Sequence, residues 1–234
     1  MALIANMVGR NESERFLIPV LDRLNQIVDK IVFTDDCSDD MTPEIAEMHG
    51  AFVYRNTEDP LFVEDESALR TMAWKNLERH VRVGDWILCI DCDEMLYGAD
   101  NLVSLLDQSV YDVLGITFFH MWNLDQYRID KAWAPNRSYR LFRYYPGGEF
   151  AKRKMACGSE PTYVPELIRR GKVLWDTGLC MKHLGYARDE DKLAKHKRYM
   201  ELDAGSYHAR AHLDSILDLK VSLVDWPEDN FESR

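Results

Sequence analysis

The densest chemistry in the sequence lies in DWILCIDCDEML, Asp85 to Leu96. Three carboxylates, Asp91, Asp93 and Glu94, end an apolar run that also holds Cys89 and Cys92. The acids offer hard oxygen ligands to a divalent cation, whereas the CxxC spacing offers thiolates for zinc or redox work. Strand geometry separates the two readings, because residues two apart share a face and residues three apart do not. Asp91 and Asp93 converge; Cys89 and Cys92 face apart, and none of Cys37, Cys157 and Cys180 supplies a second CxxC pair. Two carboxylates at a buried strand end repel one another and lose hydration, and a cation offsets both costs. Mn²⁺ or Mg²⁺ suits such a donor set. The same acids would also serve as helix caps or solvated turn residues, and the strand by itself does not choose.

These acids need elements to hold them. Leu3 to Val8 is a short apolar run followed by GRNESER and by Phe16, Leu17, Val20, Leu21, Leu24 and Ile27 at helical spacing, which predicts strand, loop, amphipathic helix. Lys30 to Thr34 predicts a second strand that ends in DDCSDDMTPE, with Thr42 as N-cap and Pro43 in the first turn of a helix to His49. Ala51 to Tyr54 predicts a third strand. A helix is expected over 63–83 on Leu69, Met72, Ala73, Leu77 and Val81, stopped by Gly84 before the strand that carries the acids. Alternating strands and helices predict an α/β fold with a mostly parallel sheet flanked by helices. Ligands of such sheets bind at the carboxyl ends of strands. GRNESE, DDCSDD and DCDE each follow a predicted strand, so all three are expected on one edge.

After Tyr111 the texture changes. Asp112 to Trp122, Ser138 to Tyr144 and Val173 to His183 read as strands, Asp189 to Leu202 as a charged helix, and Leu213 to Val224 as a further helix. No repeat or low-complexity linker interrupts 1–234, so a single domain is expected, with 1–100 as its ligand-binding half and 101–234 as a second half with C-terminal helices.

The chain of 234 residues carries a formal net charge of -11 and five cysteines. That length can bury a sizeable core without disulfides or structural metal. The acidity argues against nucleic acid or an anionic membrane as partner, and leaves room for a local basic pocket that takes a phosphorylated ligand. Sparse, unpaired cysteines are expected to be reduced. MALIANMV lacks the length and basic flank of a signal peptide, and no run approaches about 18 apolar residues. A soluble, cytoplasmic protein without a transmembrane segment is expected.

Taken in order, the polar clusters resemble those of the family 2 glycosyltransferases with the GT-A fold. NMVGRNESE is similar to that family's first strand and its Asn-Glu pair, here Asn11 and Glu12. IVFTDDCSDDMT is similar to its Val-Asp-Asp-Gly-Ser stretch, with Asp35, Asp36, Ser38, Asp40 and Thr42 matching and Cys37 standing for the glycine. Lys75 and Asn76 lie where the family often has Arg-Asn. Arg70, about a turn and a half upstream, is placed to supply the forked hydrogen bonding that lysine lacks. Asp91 and Asp93 form the DxD motif.

The resemblance implies an inverting transfer of sugar from a UDP- or GDP-sugar to a glycan, protein or lipid-linked acceptor, with Mn²⁺ or Mg²⁺ as cofactor. Asp35 and Asp36 would accept hydrogen bonds from base and ribose. Asp93, with Asp91 acting through water, would hold the metal on the donor diphosphate. His183, after a late strand, would be a further metal ligand, and Lys192, Lys195, Lys197 and Arg198 would contact phosphate or form a solvated face. An inverting transfer needs one general base. Glu160, beside Pro161 in the loop after the aromatic-rich strands, is the first choice, with Glu149 and Asp176 as rivals. Trp122, Trp133, Tyr139 and Tyr145 would stack on an acceptor sugar or fill the core. The competing functions are a noncatalytic nucleotide-sugar binder and a sugar nucleotidyltransferase, although NMVGRNESE is too acidic and glycine-poor to cradle a triphosphate.

Overall fold

Backbone hydrogen bonding sorts the first strands into a parallel array. In the computed structural model, which describes residues 1–62, 64–98, 100, 102–107, 110–150, 164–202 and 210–227, β1 (Leu3–Gly9) is followed by α1 (Leu17–Leu24), β2 (Lys30–Asp36), α2 (Thr42–Met48), β3 (Phe52–Asn56), α3 (Glu66–Leu77) and β4 (Trp86–Asp91). β1 lies between β2 and β4, and β3 lies outside β2, all parallel. Helices cover both faces of this array, so β1, β2 and β4 are buried almost throughout, while the edge strand β3 is largely open.

Alternation divides the core in two. Leu3, Ala5, Met7, Leu88 and Ile90 pack with Leu17, Val20, Leu21 and Leu24 of α1, while Ile4 and Ile87 pack on the opposite face with Trp74 and Leu77 of α3. Cys92 falls in the first cluster and Cys89 in the second, both as free thiols. Burial pushes the Cys89 thiol up to about 12 and that of Cys92 well above its ordinary value. The thiols are filler on opposite faces, as strand alternation requires.

The second half extends the same sheet with mixed polarity. It contributes β5 (Glu94–Tyr97), α4 (Leu102–Leu106), β6 (Val113–His120), β7 (Gln126–Arg128), β8 (Asn136–Arg143), β9 (Val173–Leu174), β10 (Cys180–His183), α5 (Asp189–Leu202), α6 (Arg210–Asp214) and β11 (Leu223–Asp225). The strand order is β3-β2-β1-β4-β8-β6-β10-β5, with β9 beside β6 and a small β11-β7 pair outside. β8 runs antiparallel to β4 and β6, β10 parallel to β6, and β5 antiparallel to β10. β5 follows β4 after only Cys92 and Asp93, yet is hydrogen-bonded at the far end of the strand order. The sheet therefore curls until its last strands face the end of β4.

Several sequence boundaries shift. The expected strand over 173–183 is two short ones, separated by a loop in which Gly178 takes a positive φ of 75°. The expected helix over 213–224 is α6, a 3₁₀ turn at Ser215–Leu217 and β11. Fully buried Arg128 organises that segment: its guanidinium donates to Ser215 O, Asp130 and Asp218 and lies over the Trp122 ring. The N-cap of α2 is Met41 rather than Thr42, whose hydroxyl accepts from Glu12 N at 2.6 Å. Among the described residues no helix is long and apolar enough to cross a membrane.

Candidate active site

The carboxyl ends of β1, β2 and β4 open into a cavity of 790 Å³, walled on its other side by β6, β10, α5 and α6. Parallel strands point their last residues toward one edge, so the polar loops after Gly9, Asp36 and Asp91, far apart in sequence, meet there. Glu12, Asp36, Asp91, Asp93 and Glu94 line the cavity together with Arg10, Arg15, Arg70, Arg140, Lys195 and Arg198. An acidic protein thus gathers cations around one acidic floor.

That floor is set by strand register. Antiparallel pairing of β5 with β10 places His183 opposite Glu94, and Leu184 N donates to Asp93 O at 2.7 Å just beyond the ladder. One ligand atom from each of Asp93, Glu94 and His183 lies within 4.8 Å of the others. Burial would raise the Asp93 carboxyl, but Lys195 and Arg15, at 3.3 and 3.6 Å, outweigh it and hold Asp93 below the usual carboxylate range. Burial drives His183 well below the ordinary histidine value, so its imidazole is neutral. Its Nδ1 lies 2.9 Å from Nδ1 of His120, which burial lowers to about 3. A carboxylate, an imidazole nitrogen and the carboxyl group of Glu94 together offer the oxygen and nitrogen ligands that a divalent cation accepts. The close packing of Gly185 leaves that spot open, because a Cβ there would lie 2.5 Å from His183 Nε2 and 2.6 Å from Asp93 Oδ2.

Asp91 stands apart from this trio. Its carboxylate faces Arg70 at 3.4 Å and Arg140 at 3.8 Å, while its N–H donates to Glu94 Oε2 at 2.9 Å. Glu66, one turn before Arg70 on α3, accepts from the same guanidinium. Arg140 also donates to Glu94. Burial, opposed by Arg140 and reinforced by Asp91, pushes the Glu94 carboxyl up to about 8. Of the expected trio of Asp91, Asp93 and His183, the structure brings Asp93 and His183 together and adds Glu94, with Asp91 set to the arginine side. Asp91 ends β4 and is drawn to the arginine side, whereas Glu94 begins β5, where the ladder carries it to His183.

The loops after β1 and β2 interlock. Asn11, at φ 56°, accepts from Asp39 N, and its own N–H donates to Ser38 Oγ; it is exposed and off the cavity wall. Glu12 lines the cavity and accepts from Arg15 through both oxygens. Burial, only partly opposed by Arg15, raises its carboxyl to about 7. Asp36 accepts from Asn56 Nδ2, from Leu61 N through both oxygens, and from Phe62 N, pinning the loop between β3 and α3. Asp35 accepts from Ser38 N, and its Oδ1 is buried without a partner among the described residues. Cys37 adopts φ 61°, a left-handed conformation that glycine takes more readily. Its thiol, 3.2 Å from Asn56 O and from Glu58 O, ties it down.

Of the remaining expected residues, Arg70 points into the cavity, whereas Lys75 is exposed on α3 and off the wall. Five residues separate them on a helix of 3.6 residues per turn, which puts them on different faces. Glu160 lies outside the described residues. Its rivals Glu149 and Asp176 are exposed and off the cavity wall. Trp122 and Trp133 are buried with Tyr186 and Ile216, and Trp133 also reaches the cavity. Arg15, His120 and Arg140 line the cavity as well. Arg15 had a local signal, three residues after Glu12, but His120 and Arg140 acquire their places only from the β6-β10 and β4-β8 pairings.

No family model matches the sequence, and no curated protein matches it. The curled α/β sheet flanked by helices is the GT-A fold of glycosyltransferases. Among solved structures, the chain is similar to S. aureus TarS residues 1–349, with a TM-score of 0.52 at 16% identity over 93% of this chain and 69% of that one. Similarity to the same protein in complex with UDP-GlcNAc has a TM-score of 0.50 at 17% identity, over 93% and 70%. Glucosyl-3-phosphoglycerate synthase from Mycobacterium tuberculosis, in complex with Mn²⁺, UDP and glucosyl-3-phosphoglycerate, matches 51% of this chain and 44% of its own, at 22% identity and a TM-score of 0.35.

Proposed function

We propose that the protein is a metal-dependent glycosyltransferase that moves a sugar from a UDP- or GDP-sugar to an acceptor hydroxyl on a glycan, protein or lipid-linked carrier, with inversion at the anomeric carbon. The observation that carries this reading is the convergence of Asp93, Glu94 and His183 on the floor of a cation-lined cavity, at the strand ends of a GT-A fold. The TarS complex with UDP-GlcNAc is consistent with a nucleotide-sugar donor on this fold.

Asp93, Glu94 and His183 would hold Mn²⁺ or Mg²⁺, which when bound supplies charge neutralisation to the departing nucleoside diphosphate. Arg70 and Arg140 keep Asp91 in place beside the trio. Arg15 and Arg198 face the cavity as further partners for phosphate oxygens. Asp36 lines the cavity, whereas Asp35 is buried and off its wall, so Asp36 is the carboxylate within reach of a ribose or base donor and would accept from it alongside the loop at 61–62. Glu160 remains the proposed general base for the acceptor hydroxyl.

The test is release of nucleoside diphosphate from a panel of UDP- and GDP-sugars by purified protein with Mn²⁺. Metal-dependent release or transfer is expected, and turnover that persists undiminished in EDTA would refute the metal role. Donor binding without any turnover, across the panel and with acceptors supplied, would make the chain a nucleotide-sugar binder instead.

A further inference from the structure

The cation site contains a cation of its own. Lys195 Nζ lies 3.3 Å from Asp93 Oδ2 and 3.5 Å from His183 Nε2, between two of the three ligands. It sits 4.6 Å from the Tyr186 ring centre, with its side chain only 12% exposed. A Cβ built on Gly185 would lie 2.0 Å from that ammonium, so lysine and glycine share one small space. The placement follows from α5. Asp191 in its first turn is gripped by Arg15 and Arg188, and Lys195, one turn later on the same face, is thereby aimed at the floor. Arg198, three residues further, faces the same cavity.

An ammonium and a divalent ion repel one another strongly at such a separation in a buried site. The lysine is held only by side-chain contacts and has a flexible four-carbon stem, so it can leave while α5 stays in place. Resting on the reading of a metal-dependent transferase, we propose that Lys195 is the resident counter-ion of Asp93 and His183, that it yields this position when a divalent cation binds, and that it then serves the donor diphosphate. Lys195 thereby couples two binding events. It weakens metal binding to the nucleotide-free protein, and it strengthens nucleotide binding to the metal-loaded protein.

The two effects have opposite signs, which a merely structural lysine would not produce. Lys195→Met removes the charge and keeps the stem, and Lys195→Gln, with a polar tip, is the second variant should the first not fold by circular dichroism. Mn²⁺ affinity is read by electron paramagnetic resonance or calorimetry without nucleotide, then with UDP and with GDP. Removing the charge is expected to tighten Mn²⁺ binding to the nucleotide-free protein by about tenfold or more. The same change is expected to reduce the factor by which nucleotide enhances Mn²⁺ affinity. Unchanged or weaker Mn²⁺ binding in both variants would overturn the role of Lys195 while leaving the transferase reading intact. Absence of Mn²⁺ binding in the wild type, with or without nucleotide, would overturn the metal reading and this one with it.

Discussion

The acids of the first two loops and those after β4 are buried to similar depth, yet they are held by different partners. Asp36, 1% exposed, accepts chiefly from backbone amides of the loop at 61–62, and Asp40 accepts from Ser13 and Thr42. Asp93, 7% exposed, faces the side-chain cations Lys195 and Arg15, and Asp91 faces Arg70 and Arg140. Backbone amides cannot withdraw without unfolding the loop, so the first set is structural. Side chains can swing away, so the second set can exchange its partners for a ligand. Burial alone does not distinguish a fold-holding carboxylate from a ligand-holding one; the mobility of what it is bonded to does.

That contrast breaks most sharply at Asp93. Asp93→Ala is expected to lower metal-dependent turnover by on the order of a thousandfold, with a circular dichroism spectrum like that of the wild type; turnover within a few-fold of wild type would erase the distinction. The mirror experiment is Asp36→Ala, which leaves the Leu61 and Phe62 amides without their acceptor. It is expected to cost about 3 kcal/mol of stability in urea unfolding, because these are hydrogen bonds to a charged group. If Asp36→Ala unfolds like wild type, the first-loop acids are not the structural set.

Glu12 sits between the two regions, and its titration sharpens the comparison. Its carboxyl is raised from 4.5 to about 7, so between those values the folded chain retains a proton that the unfolded chain has released. The stability from this group is complete below 4.5 and is lost as pH rises toward 7. Glu94, raised to about 8, adds a contribution of the same sign. His120 and His183, both lowered by burial, act with the opposite sign up to 6.5, so the test is the difference between variants: Glu12→Gln should make the slope of the thermal midpoint against pH more positive between 4.5 and 7, and an unchanged slope would place the proton elsewhere. The smallest effect belongs to Cys37→Gly. Glycine relieves the left-handed strain but gives up the thiol contacts and gains unfolded-state freedom, so stability should change by less than about 1 kcal/mol. A larger loss would mean that the contacts to Asn56 and Glu58 carry more of the turn than its backbone does.

Much of this architecture was legible in the chain. Leu17, Val20, Leu21 and Leu24 announce α1 by their spacing, and all four are buried. The charged run of α5 runs from Asp189 to Leu202, as its composition predicts. The alternation that separates Cys89 from Cys92 in sequence is the one that puts them in different core clusters. What failed was short and non-local. The 213–224 segment has helix-forming residues, but Arg128, nearly 90 positions earlier, recruits Ser215 and Asp218 and leaves room for only a brief helix.

The sequence by itself determined that acids follow three of the first four strands, β1, β2 and β4, since a period of two along each strand and the parallel order of such units bring those ends to one edge. It also determined that the thiols would not act as a pair. Only the tertiary structure decided which acids would share a partner. Glu94 rather than Asp91 joins Asp93 and His183 because β5 pairs with β10, a register between residues 89 positions apart in number, from 94 to 183. Lys195 enters the same site because Arg15 anchors the first turn of α5 through Asp191. Strand alternation is a local property of the backbone and can be read along one strand, whereas pairing across the sheet depends on which distant strand closes the curl, and that is settled by the packing of the whole core.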